Sequence, residues 1–90
     1  MSAIRQVCIL GSTGSVGEST LDVVARHPDR FAVRSLSCGS RWKELLVQCR
    51  RWRPALAAVG DPAGAEMLRA ALRAEGMATE VVAEIGRAHV

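Results

Sequence analysis

Aromatic side chains are nearly missing: Tyr is absent, Phe occurs once and Trp twice, together 3% of the 90 residues. So few rings exclude the repeated stacking platforms of a single-strand nucleic-acid binder. No nucleic-acid recognition motif accompanies the cluster of Arg50, Arg51 and Arg53 beside Trp52. That run reads as the solvated carboxyl end of a helix, where cations suit the dipole, and no nucleic-acid partner is expected despite a net charge of +3. Cys8, Cys38 and Cys49 are odd in number and widely spaced. They fit neither a disulfide framework nor a C-x-x-C metal site and read as small buried hydrophobes. No apolar run approaches the ~20 residues of a membrane span. Ala3 to Leu10 is broken by Arg5 and Gln6, so it is no signal-peptide core. The expectation is a cytoplasmic protein with no membrane association. Repeats and low-complexity segments are lacking, and 49% hydrophobic with 23% charged excludes disordered and collagen-like classes.

What is present begins at Val7-Cys8-Ile9-Leu10, a short apolar strand that runs straight into Gly11-Ser12-Thr13-Gly14-Ser15-Val16-Gly17. The G-x-x-G-x-x-G spacing departs from the usual G-x-G-x-x-G, since Thr13 occupies the second glycine slot. A P-loop is a worse fit, because it needs a glycine five residues after Gly11 and a lysine next, where the chain has Val16, Gly17 and then Glu18. A chain leaving a parallel strand must reverse at once, bring backbone amides against a pyrophosphate and start a helix packed on the sheet. A Cβ at any of the three glycines is expected to clash. The helix start offers unpaired N–H groups, and the hydroxyls of Ser12, Thr13 and Ser15 are expected to add hydrogen bonds.

Strand and helix patterns then alternate. Glu18 to His27 has helical periodicity with Val16, Thr20, Val23, Val24 and His27 on the stripe expected to be buried, and Pro28 ends it. Phe31, Val33 and Leu36 read as a second strand, which completes a βαβ unit. Arg41 to Arg53 reads as a second helix with Trp42, Leu45, Leu46, Cys49 and Trp52 on its apolar stripe, the tryptophans as packing residues. Ala55 to Val59 is a third strand, Asp61-Pro62 caps a third helix through Leu72, and Thr79 to Ala83 is a fourth strand. The fold class is α/β: a Rossmann-like parallel sheet with flanking helices, incomplete at three to four strands, because a full dinucleotide-binding domain carries about six. The chain is therefore expected to be part of a larger protein.

One further absence bears on the cofactor. NAD-selective enzymes place a carboxylate at the end of the second strand to hold the ribose 2′-hydroxyl. Here the sequence is Ser37-Cys38-Gly39-Ser40-Arg41, with none. Arg41 can fork two hydrogen bonds to a 2′-phosphate and Ser40 can add a third, so NADPH is expected over NADH. The plainer alternative is that Ser40 caps the second helix and Arg41 points to water.

The run Ile9-Leu10-Gly11-Ser12-Thr13-Gly14-Ser15-Val16-Gly17, with Ser19-Thr20-Leu21-Asp22-Val23-Val24, resembles the opening of the 1-deoxy-D-xylulose 5-phosphate reductoisomerases. The similarity continues through Phe31, Val33, Leu36, Gly39, Gln48-Cys49, Arg53-Pro54 and Asp61, to about Val82. The resemblance implies an oxidoreductase of the non-mevalonate isoprenoid route. In that family a divalent metal, Mg or Mn, assists rearrangement of the sugar phosphate, and NADPH then reduces it to 2-C-methyl-D-erythritol 4-phosphate. It implies a cofactor site of Gly11, Thr13, Gly14, Ser15, Val16 and Gly17 with Gly39, Ser40 and Arg41, the last standing where the family frequently has Asn. It also implies a homodimer at full length, with metal ligands and sugar-phosphate site beyond this chain, so these residues alone are expected to be inactive. Two alternatives stay open: another NADP-dependent dehydrogenase, such as the aspartate-semialdehyde dehydrogenase type, and a non-catalytic nucleotide-binding module.

Residues 84–90, Glu-Ile-Gly-Arg-Ala-His-Val, depart from the family's pattern and coincide with the in-frame translation of a common sequencing-library adapter. The expected division is thus 1–83, the amino-terminal part of a cofactor-binding domain, and 84–90, a non-native tail whose His89 is no candidate ligand.

Overall fold

The computed structural model of the chain describes residues 4–83; the expectation for 84–90 lies outside them. Elements alternate as β1 (Arg5–Ile9), α1 (Ser15–Ala25), β2 (Phe31–Cys38), α2 (Trp42–Trp52), β3 (Leu56–Val59), α3 (Pro62–Ala74) and β4 (Glu80–Ala83). The strands form one parallel sheet in the order β1-β2-β3-β4. Each crossover advances one place in the same direction, so the right-handed rule sets all three helices on one face. Accordingly one core draws on every element: Ile9, Leu21, Val24, Val33, Leu36, Leu45, Cys49, Val59, Leu68, Leu72 and Val81 among others. Among the described strands β1 pairs only with β2, and its outer edge is open. No helix among the described residues is long and apolar enough to cross a membrane.

Local chemistry sets the element ends, which differ from the sequence expectation by up to three residues. Pro62 opens α3 behind Asp61, whose carboxylate accepts from the amides of Ala63 and Gly64, both at 3.3 Å. α2 stops at Arg53, held in the left-handed region at φ 46° with its amide on the Cys49 carbonyl at 2.8 Å, just before Pro54, which cannot continue a helix. β2 carries a bulge: Val7 lies opposite Val33 but Cys8 opposite Ser35. The extra residue shifts the alternation by one, which lets Val33 and Leu36, three apart, both enter the core.

Two expectations need correction. Of the expected α1 stripe only Val24 is buried, together with Gly17 and Leu21; Val16, Thr20, Val23 and His27 are exposed, Val16 at 79% and Val23 at 51%. The cause is rotational: Gly17 packs on the backbone of the preceding turn, and Leu21 and Val24 follow it at i+4 and i+7. Cys38 and Cys49 are buried as expected, but Cys8 is exposed because it points to the face of β1 opposite Val7 and Ile9, away from the core. The basic run is exposed at the carboxyl end of α2, as expected, and it makes surface contacts. Arg50 forks onto Glu75, with Nε 3.0 Å from both carboxylate oxygens and Nη2 2.6 Å from one, which ties α2 to the end of α3 and holds the Glu75 carboxyl below its ordinary range. Arg51 lies over the Trp52 ring, 5.1 Å from its centroid. Both tryptophans pack against the core.

The Asp61 cap gives a direct test of how α3 begins. Asp61→Ala should lower the stability of the chain in urea denaturation by about 0.5–2 kcal/mol, while Asp61→Ser retains most of it. An unchanged midpoint in the alanine variant would show that the cap contributes nothing.

Candidate functional site

The carboxyl ends of β1, β2 and β3 lie side by side, and the loops leaving them are stitched together. The Gly11 amide donates to Ser37 Oγ at 3.1 Å and the Ser12 amide to the Ser37 carbonyl at 2.8 Å. The Gly60 amide donates to the Cys38 carbonyl at 2.9 Å and the Asp61 amide to the Gly39 carbonyl at 3.0 Å. The glycine turn and the 39–41 loop are thereby neighbours on one edge of the sheet. Gly11, Gly14, Ser15, Val16, Gly39, Ser40 and Arg41 are exposed there, whereas Thr13 and Gly17 are buried.

The three glycines answer to three different constraints, which corrects the expectation of a clash at each. Gly11 has φ +64°, a left-handed conformation costly for any residue with a Cβ. A Cβ on Gly17 would lie 2.3 Å from the Gly11 carbonyl oxygen and 2.6 Å from Ser12 Cα, so only glycine lets α1 start this close to the turn. A Cβ on Gly14 would meet only the Gly11 oxygen, at 3.4 Å. Nothing in the chain itself therefore demands glycine at 14, and the space above it is open to a ligand.

The hydroxyls also divide. Ser12 is fully buried; its Oγ donates to Gln48 Oε1 at 2.7 Å with the Ser37 carbonyl 3.3 Å away, and its carbonyl accepts from Gln48 Nε2 at 2.7 Å. It faces inward and does not serve a ligand, contrary to the expectation for Ser12. The Ser15 hydroxyl stays at the surface. Sequence reasoning missed Gln48 and Ser37 as parts of this site. A polar residue beside the buried Cys49 of a helix was the available signal.

Helix starts at this edge differ in a way that matters electrostatically. α3 has its Asp61 carboxylate. At the N-cap of α1 stands Gly14, without a side chain, and at that of α2 stands Arg41, which makes no capping bond; the Ser40 side chain does not cap α2. A helix start leaves its first amides without intrahelical acceptors and carries partial positive charge. Two such starts, one bearing a cation, thus adjoin each other at the ends of neighbouring strands. Behind them Cys49 is fully buried, and burial, then the neighbouring Cys38, pushes its thiol up to about 11. Among the described residues no group of three His, Cys, Asp or Glu side chains is placed to hold a metal.

The family model for 1-deoxy-D-xylulose 5-phosphate reductoisomerase matches residues 7–89. A reductoisomerase of that name from Nitrosospira multiformis is 54% identical over 82 residues, 91% of this chain and 21% of the relative. One from Janthinobacterium sp. is 51% identical over 78 residues, 87% of this chain and 20% of the relative. Among solved structures, the chain is similar to a DOX-P reductoisomerase in complex with NADPH, fosmidomycin and magnesium, at TM-score 0.85 and 29% identity, covering 89% of this chain and 19% of that one. It is also similar to the Zymomonas mobilis reductoisomerase in complex with NADPH, at TM-score 0.82 and 37% identity, covering 92% and 21%. The chain spans about a fifth of the length of the relatives it matches.

The glycine geometry and the buried thiol each yield a test. Gly17→Ala should destabilise the chain by roughly 1–3 kcal/mol in urea denaturation, because backbone must move, while Gly14→Ala should change stability little; equal effects would contradict the packing assigned to Gly17. For Cys49, the folded-state pKa exceeds the unfolded one, so between pH 9 and about 11 the unfolded state holds fewer protons. Stability should therefore fall as pH rises through that window. Cys49→Ala should remove this part of the alkaline slope, and an unchanged slope would show that the thiol is not its source.

Proposed function

Since the chain belongs to the 1-deoxy-D-xylulose 5-phosphate reductoisomerase family, we propose that its glycine turn and its 39–41 loop bind NADPH for a reductoisomerase that converts 1-deoxy-D-xylulose 5-phosphate to 2-C-methyl-D-erythritol 4-phosphate. The observation that carries this reading is the pair of helix starts without a capping side chain, at Gly14 and Arg41, beside a third that has its own carboxylate. A phosphate group supplies what both lack: an acceptor for the first-turn amides and a negative charge at the positive helix end. Arg41 is unfavourable at a helix start in isolation and favourable there once a 2′-phosphate is bound.

The fit is residue by residue. The open space over Gly14 admits the pyrophosphate to the amides of Ser15 and Val16, with the Ser15 hydroxyl beside them. Gly11 and Gly17 shape the turn and Thr13 packs beneath it. Gly39 leaves room for the adenosine ribose, and Ser40 with Arg41 meets the 2′-phosphate through charge-assisted hydrogen bonds. When bound, NADPH supplies the hydride that reduces the rearranged sugar phosphate. The chain's own residues bind and orient it. The divalent metal, the sugar-phosphate site, the homodimer and the cytoplasmic setting belong to the same proposal and rest on family membership.

Cofactor choice tests the reading. With residues 7–83 set into a full-length relative, Arg41→Ala should weaken NADPH binding by about tenfold or more, as loss of a hydrogen bond to a charged group implies, and leave NADH nearly unaffected. Measured by fluorescence titration, an equal loss for both would place Arg41 in packing or at the pyrophosphate instead.

A further inference from the structure

Gln48 lies in the middle of α2, half-buried and distant in sequence from the turn, yet both ends of its amide close on Ser12. Oε1 accepts from the Ser12 hydroxyl and Nε2 donates to the Ser12 carbonyl, each at 2.7 Å. On the other side, Ser37 takes the Gly11 amide on its hydroxyl and the Ser12 amide on its carbonyl. Every polar group of Ser12 is thus held by an element other than its own, and Ser12 sits between the left-handed Gly11 and the site above Gly14. Each Gln48 bond also satisfies a polar group of a fully buried residue, whose desolvation would otherwise go uncompensated.

Resting on the NADPH reading above, we infer that Gln48 is a positioning residue for the cofactor: through Ser12 it holds the amides of the glycine turn in their phosphate-binding arrangement. It does not touch the ligand. Because Gln48 and Arg41 belong to the same helix, at its middle and its N-cap, α2 also keeps the pyrophosphate turn and the 2′-phosphate loop in fixed register.

The test uses residues 7–83 set into a full-length relative, with NADP⁺ and adenosine 2′-monophosphate as probes, the second carrying the 2′-phosphate but no pyrophosphate. Gln48→Leu should weaken NADP⁺ about tenfold, leave adenosine 2′-monophosphate unchanged, and speed amide exchange at residues 11–17. Equal weakening of both probes would mean that the variant merely disturbs α2, and unchanged NADP⁺ binding would mean that the clamp positions nothing; either overturns the inference. Gln48→Glu covers the case in which the leucine variant does not fold. It keeps the acceptor for the Ser12 hydroxyl but loses the donor when ionised, so its NADP⁺ affinity should drop from pH 5 to pH 8 relative to wild type, and a parallel profile would overturn the inference. If wild type fails to bind NADP⁺, the NADPH reading fails. Amide exchange still decides on the clamp, since rates at 11–17 unaltered in Gln48→Leu would refute it.

Discussion

The close seating of α1 on the turn that precedes it governs the rest of the site. Gly17 lies against the Gly11 carbonyl and Ser12 Cα at distances that no Cβ could occupy. This contact fixes where α1 begins and how it is rotated, so that Leu21 and Val24 face the core while Gly14, Ser15 and Val16 face outward. The seat is rigid because Ser12 is pinned from two sides, by Ser37 of β2 and by Gln48 of α2. A preorganised set of amides loses little entropy when an anion arrives, which is why a phosphate site is built on such a turn rather than on a loose loop.

The sheet edge then sorts its helix starts by charge. Asp61 gives α3 an internal partner, and its backbone amide also supports Gly39. α1 and α2 have no equivalent partner. One edge of a small domain thus carries helix starts of two kinds: the capped start contributes stability, and the others keep the field and the donors that suit the anion proposed to bind there. The apolar core beneath, from Leu45 and Cys49 to Leu68 and Leu72, keeps these starts in place without supplying chemistry itself.

Much of this was legible in the order of residues. Apolar runs bounded by Gly, Pro28, Pro54 and Asp61-Pro62 located the strands and helices, since those residues stop or start elements for local reasons that tertiary context does not override. The glycine spacing placed the turn. The burial face of α1 was not legible, because Val16 and Val23 have the same apolar character as Leu21 and Val24. Only the three-dimensional contact of Gly17 decides between the two stripes. The exposure of Cys8 follows from its lying on the face of β1 opposite Val7 and Ile9, which composition does not reveal. The inward turn of Ser12 depends on Gln48, distant in sequence, and no local pattern encodes that pairing.

The central claim is that the Gly11–Gly17 turn holds a pyrophosphate on backbone amides while the 39–41 loop holds a 2′-phosphate. A crystal structure of residues 7–83 within a full-length relative, solved with NADPH bound, tests it most directly. The account predicts pyrophosphate oxygens within about 2.7–3.2 Å of the Ser15 and Val16 amides and the 2′-phosphate against Ser40 and Arg41. A cofactor bound with its pyrophosphate away from this turn would contradict it.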